Sequence, residues 1–236
     1  MRLRWEGLVN ARDLGGIALQ GGGQTRRGAY ARSDHPLNLT PTGWGELQNY
    51  GVRTIASLET GGLEGEEVIR SNRPVVPPAD VTATVLRIPV EDATDASFMA
   101  RWACTGLWGT PLYFSEALIN WPAMYGAAIN ALAQAEGPVL MHCGRGHDRT
   151  GIMALLLLTI AGATVEGITE DYLLSARNLE SREPRSVELL EGALRQAGVR
   201  ANEAIGTAID VVDDAWLSRA KVTEGSVSSI RAGLAV

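Results

Sequence analysis

The chain has 236 residues, with 21 basic and 27 acidic side chains and a formal net charge of −6 at pH 7. That length supplies one domain with a sizeable core, and 45% hydrophobic with 20% charged residues is the balance of a folded chain rather than a disordered one. No Lys/Arg-rich run offers a footprint for nucleic acid, and the longest apolar stretch, 152–163, is interrupted by Thr159 and too short to span a membrane.

In chain order, Gly15-Gly16 and Gly21-Gly22-Gly23 flank the short apolar run Ile17-Ala18-Leu19. With 29–32 following, this stretch reads as a hairpin of edge strands. Thr40-Pro41 predicts a helix start, with a capping hydroxyl and proline at the first helical position, and Gly51 predicts its end. A buried strand is expected over 52–58 and another over 81–90, with a short acidic helix near 63–70 between them. Residues 91–111 carry Glu91, Asp92 and Asp95, then Trp102, Cys104, Trp108 and Pro111. They read as a long loop or lid, and loops of that length are often functional. Helical pattern resumes over 112–135 and is broken at Pro122. A short apolar strand over 138–141 runs into a glycine-rich loop and then a buried helix over 152–160. Helices near 165–178, 186–197, 202–218 and 224–234 complete an α/β sandwich whose central strand delivers that loop.

The loop, residues 142–151, reads HCGRGHDRTG. Cysteine and arginine separated by five residues is weak evidence alone; the preceding histidine, Gly146 and the closing Thr-Gly make it strong. Backbone N–H groups of Gly144, Arg145, Gly146, His147, Asp148 and Arg149 can curl around one phosphate, with glycine permitting the backbone angles. The helix expected from Thr150 points the positive end of its dipole at the same place. Arg149 can grip two phosphate oxygens with its planar fork. The same field favours the thiolate of Cys143, the attacking form. Thr150 can donate to the departing sulfur, and His142 can order the loop by hydrogen bonding. Cys143 would attack phosphorus and water would then hydrolyse the phosphocysteine. Arg149 and the amides supply the positive charge, so neither metal nor cofactor is called for.

This segment resembles the signature loop of cysteine-dependent protein tyrosine phosphatases. It is most similar to the atypical bacterial branch whose loop reads HCxxGKDRTG and whose N-terminus reads NxRDLGG. The matching positions are Asn10, Arg12, Asp13, Leu14, Gly15 and Gly16, then Arg32-Ser33-Asp34, Asp171-Tyr172 with Ser175, and the C-terminal helix over 225–234. The resemblance therefore covers nearly the whole chain, with 91–111 its least assignable part. It implies a protein tyrosine phosphatase-like α/β fold, a central mostly parallel sheet flanked by helices. It also implies a helical lid or insertion within 91–135 and one phosphatase domain over 1–236. Family substrates are phosphotyrosine proteins, with phosphoserine, phosphothreonine and phosphoinositides among them.

Two positions depart from the family pattern. The loop lysine is His147, mostly neutral at pH 7, which should weaken affinity for multiply phosphorylated headgroups. Ser57-Leu58-Glu59 stands where the family carries Asp-Leu-Arg. The general acid is open between two carboxyls: Asp148, where the resemblance places it and which is favoured, and Asp92 at the end of a strand. Arg12 and Asp13 are expected to pair and brace the loop. Trp102, Trp108, Tyr113 and Phe114 either pack the lid or line an aromatic slot. Cys104 is inert, or a resolving thiol for oxidised Cys143. His35 is expected to be an exposed loop residue, and His147 to line the entrance or face solvent.

The resulting expectation is a phosphatase acting on phosphotyrosine proteins or small phosphomonoesters, with dual specificity left open. The alternatives are an inositol-phosphate or phosphoinositide phosphatase, a persulfide-transferring loop, and a phosphate-recognition module without turnover. Two cysteines make a disulfide scaffold improbable. The opening residues lack a signal-peptide pattern, so a cytoplasmic location is expected, with export by another route left open.

Overall fold

The computed structural model describes residues 2–235. Its centre is a five-stranded sheet in the order β1-β2-β5-β3-β4: β1 Arg12–Asp13, β2 Tyr30–Ser33, β3 Thr54–Gly61, β4 Thr84–Asp92 and β5 Val139–His142. β1 runs antiparallel to β2 and the other pairs are parallel. Successive side chains leave a strand on opposite faces, and that alternation builds two cores. Val139 and Met141 enter a large core on one face, whereas Leu140 joins Ala31 and Ile55 in a smaller one on the other. β2, β3 and β5 are buried along nearly their whole length, as expected of strands covered on both sides.

Local signals set several element ends. α1 (Pro41–Tyr50) starts where Thr40 accepts from the amide of Gly43 and ends at Gly51 in the left-handed region. α2 is Glu66–Ser71. The 91–111 segment is not an open loop but a run of short helical turns, including α3 (Ala96–Phe98) and a π-turn at Met99–Ala103, that sinks Phe98 and Trp102 into the large core. The break at Pro122 divides α4 (Phe114–Asn120) from α5 (Pro122–Gln134). α6 (Asp148–Ala161) is apolar on nearly every side and buried accordingly. α7 (Val165–Leu179) and α8 (Ser186–Ala197) follow.

Three expectations are corrected. The 29–32 strand lies inside the sheet between β1 and β5, and its antiparallel partner is Arg12–Asp13. Ile17-Ala18-Leu19 makes only isolated bridges, Ala18 with Gln24 and Leu19 with Ala163. The helix expected over 202–218 is two, α9 (Ala201–Val211) and α10 (Asp214–Arg219), because Asp213 accepts from the amide of Trp216 at 2.6 Å and starts a new helix. α11 is Glu224–Leu234. Among the described residues no helix is long and apolar enough to cross a membrane.

Candidate active site

Ser33, His142 and Ser57 lie level across β2, β5 and β3, so the loop leaving β5 sits at the carboxyl end of the parallel strands, where such sheets place their ligands. His142 is buried and its pKa is pushed down to about 3 by burial and by neighbouring His35, so the ring is neutral. Its Nδ1 lies 3.2 Å from the Cys143 carbonyl and its Nε2 2.7 Å from Ser57 Oγ. A carbonyl only accepts, so Nδ1 carries the proton and the Ser57 hydroxyl donates to Nε2. His35 is not exposed: it packs edge-on to His142 with ring centres 4.8 Å apart, and its Nε2 reaches the Arg73 carbonyl. The two altered positions thus have partners of their own, Ser57 on His142 and Glu59 on Arg87 at 2.6 Å.

The carbonyls of the loop are bonded one after another. Gly144 O accepts from the His35 amide. Arg145 O and Gly146 O accept from Asn10 Nδ2, and Gly146 O and His147 O also accept from Arg32 Nη2. In a planar trans peptide the N–H points opposite to its C=O, so the amides of 145–148 are turned away from these partners. That is the arrangement an anion cradle needs. Gly146 has φ +67, and a Cβ there would meet the Ser33 carbonyl oxygen at 2.1 Å. Gly146→Ala should therefore deform the cradle. We expect at least ~1–2 kcal/mol lost from left-handed strain alone, read as a fall of about 2–4 °C in Tm per kcal/mol with most activity gone. Gly21→Ala, with open space around it, is the control and should leave both unchanged.

Beneath the loop, Arg12 and Arg32 are fully buried and share Asp171. Arg12 also donates to Ser175 Oγ at 2.7 Å and Asn10 Oδ1 at 2.6 Å. The expected Arg12–Asp13 pair is thus replaced by one 159 residues apart. Asp13 instead accepts from the Gly28 amide and the Tyr50 hydroxyl.

A cavity of about 250 Å³ opens above, and Arg145, Asp148 and Arg149 line it together with Glu91 and Trp108. Cys143 and Gly144 lie in a narrow adjoining cleft, and Ser71 borders both. Arg149 Nη1 donates to Leu58 O at 3.0 Å and lies 3.3 Å from Asn72 Oδ1, while Nη2 reaches Ser71 O at 3.3 Å. Its Nε is 3.8 Å from Glu91 Oε2, beyond hydrogen-bond length. Burial works against the Arg149 charge, but Cys143 and Glu91 outweigh it and hold the guanidinium firmly protonated. Asp148, at the start of α6, is raised to about 6 by burial and by Glu91, against Arg145 and a 3.3 Å hydrogen bond from Tyr172. The Thr150 hydroxyl is buried with no hydrogen-bond partner among the described residues.

Of the two candidate acids, only Asp148 lines the cavity. Asp92 turns aside and accepts from the amide and hydroxyl of Thr94 at 2.9 and 2.7 Å. The inward carboxylate is Glu91, which was not singled out from sequence. It accepts from Trp108 Nε1 and Tyr113 OH, each at 3.0 Å, and from Thr60 at 3.2 Å. Burial raises its pKa against the pull of Arg149. Of the four aromatic residues considered for a slot, Trp108 borders the cavity, whereas Trp102, Tyr113 and Phe114 are buried in the core. The His147 ring is also buried, packed at a tilt against Tyr172 with ring centres 4.6 Å apart. Burial, with Arg145, Arg32 and Arg12 nearby, pushes its pKa well down. It adds no cation to the rim.

A mixed sheet flanked by helices, with this loop at the carboxyl end of its central strand, is the α/β fold of a protein tyrosine phosphatase. The chain belongs to the tyrosine phosphatase family, whose model matches residues 3–234, and so to the phosphatase hydrolases. It is 29% identical over 242 residues to a Cupriavidus necator protein assigned as a tyrosine-protein phosphatase, covering 98% of this chain and 79% of that one. A Nostoc commune tyrosine-protein phosphatase is 37% identical over 92 residues, 37% of this chain and 31% of that one. Among solved structures, the Siw14 catalytic core overlays with a TM-score of 0.39 at 15% identity, over 80% of this chain and 83% of that one.

Proposed function

We infer that the chain acts as one phosphatase domain that hydrolyses phosphotyrosine through a phosphocysteine on Cys143. The observation carrying this reading is the junction of β5 and α6. There the Arg149 fork and the raised carboxyl of Asp148 share one cavity, and the Cys143 cleft adjoins it. In the first step Cys143 Sγ bonds to phosphorus as the ester P–O bond breaks. Arg149 and the amides of 144–149 carry the equatorial oxygens, and Asp148 gives its proton to the departing phenolate oxygen. In the second step water attacks phosphorus, Asp148 takes its proton back, and the sulfur leaves with Thr150 donating to it.

Inositol phosphates fit less well. Arg145 is the loop's remaining cation beside Arg149, and it is already bonded to Glu183 at 2.7 Å. Phosphotyrosine peptide should therefore be turned over faster than inositol polyphosphates, and equal rates would reverse the preference. Phosphate release in EDTA would separate turnover from mere phosphate recognition.

The acid assignment has its own test. Asp148 serves as an acid only while protonated, so turnover of esters with poor leaving groups should decline as pH rises through about 6. Asp148→Asn should remove that decline and cost roughly 10²–10⁴-fold on phenyl phosphate, but far less on p-nitrophenyl phosphate. An equal loss on both would assign Asp148 a structural role.

A further inference from the structure

A second cavity, about 230 Å³, opens beside the first between the loop and the start of α8. Gly109 and Arg145 border both. One guanidinium spans them: Arg145 Nη1 lies 3.7 Å from Asp148 Oδ2 on one side, and Nη2 lies 2.7 Å from Glu183 Oε2 on the other. A substrate held by its phosphoryl group in the first cavity therefore has the second within reach of its next groups.

The lining states what would fit. Its charges, Arg145 and Glu183, are already paired with each other, and His147, which also borders it, is neutral for the reasons given above. A second phosphate would have to displace a carboxylate to gain its cation. The outer wall is apolar, made by Pro184, Leu189, Leu190 and Ala193. Leu189 stands at the rim 64% exposed, although burying such a side chain is favourable.

We propose that this cavity is a subsite for an apolar side chain lying within two residues of the phosphotyrosine in a peptide substrate. The proposal rests on the phosphotyrosine reading above and names the substrate class for it. Binding there would order the peptide across the Arg145–Glu183 pair, and it would favour apolar over acidic flanks.

The test compares kcat/KM on p-nitrophenyl phosphate with that on phosphotyrosine peptides bearing Gly, Leu, Glu or phosphoserine at each position from −2 to +2. It uses wild type, Leu189→Arg and Ala193→Trp. Wild type should prefer Leu over Gly at one position by roughly tenfold, as burial of one such side chain allows. Both variants should reduce that preference below threefold while keeping p-nitrophenyl phosphate turnover within twofold of wild type. Leu189 lies on the surface, so Leu189→Arg keeps the test valid if Ala193→Trp fails to fold. The subsite is overturned by an absent preference, by one that survives Leu189→Arg, by a preference for Glu or phosphoserine, or by a wild type active on p-nitrophenyl phosphate but on no peptide. A wild type inert on every substrate would overturn the phosphatase reading first, and the subsite with it.

Discussion

Cys143→Ser is expected to lower phosphate release from p-nitrophenyl phosphate in EDTA by ~10⁴-fold or more, while inorganic phosphate still raises the melting temperature as it does in wild type. The two halves have separate causes. Serine nearly matches cysteine in shape, so the cradle stays intact, with the loop carbonyls on Asn10, Arg32 and the His35 amide and the Gly146 backbone. What changes is the nucleophile: a hydroxyl remains protonated near neutrality, and the adjacent histidine is not free to take its proton. His142 faces Ser57 and a carbonyl instead. Arg149→Lys makes the complementary case. Lysine supplies one point charge in place of the fork and leaves the Leu58 and Ser71 carbonyls without Nη1 and Nη2. We expect a loss on the order of 10²–10³-fold, with phosphate binding weakened as well. Turnover by Cys143→Ser close to wild type would mean another nucleophile, and the phosphocysteine route would fall.

The loop was legible in the sequence because its chemistry is contiguous. Ten consecutive residues carry the proposed nucleophile, clamp and acid, and the strand and helix around them follow from local apolar runs. Thr40 and Gly51 were legible for the same reason, since a cap bonds within one turn. What sequence reading missed depends on distant partners. Asp171 is matched in the sequence but without a role, which only the fold supplies: Arg12 on β1 and Arg32 on β2 both reach it. The choice between Glu91 and Asp92 turns on a single residue of parity. Ile88 and Val90 are buried, so strict alternation would carry Asp92 inward. The β3–β4 pairing instead passes from Glu59↔Pro89 to Thr60↔Glu91, and the bulge at Val90 turns Glu91 in. The family lysine position misled for another reason. A histidine replacing a rim cation can fold its smaller, neutral ring inward against Tyr172, and no local signal marks that exchange.

Asp171→Asn is expected to be the most destabilising single change in the molecule that removes no bulk. Burial alone would raise this carboxyl, but the Arg12 and Arg32 guanidiniums outweigh it and hold the pKa at about 2. The converse is visible on Arg12, drawn down to about 10 by burial and by Arg32 despite Asp171. Without the carboxylate, two buried cations face each other with only neutral acceptors. Breaking such a network costs about 3–5 kcal/mol, or on the order of 10 °C in Tm. Function should fail with it, because Arg32 also holds the Gly146 and His147 carbonyls at 2.8 and 3.0 Å. The pH dependence gives an independent reading. A carboxyl depressed in the folded state contributes stability that is complete above its unfolded value near 3.8 and lost as pH falls through about 2. His142, depressed from 6.5 to about 3, acts in the same direction from higher pH, because the unfolded chain takes up the proton first. Asp148, raised to about 6, opposes His142 over the same range because the folded chain takes up that proton first, so the diagnostic limb lies below 3.8, where wild type should lose stability that Asp171→Asn no longer loses. A variant melting within 2 °C of wild type, with the acid limb intact, would mean that the two arginines find their compensation elsewhere.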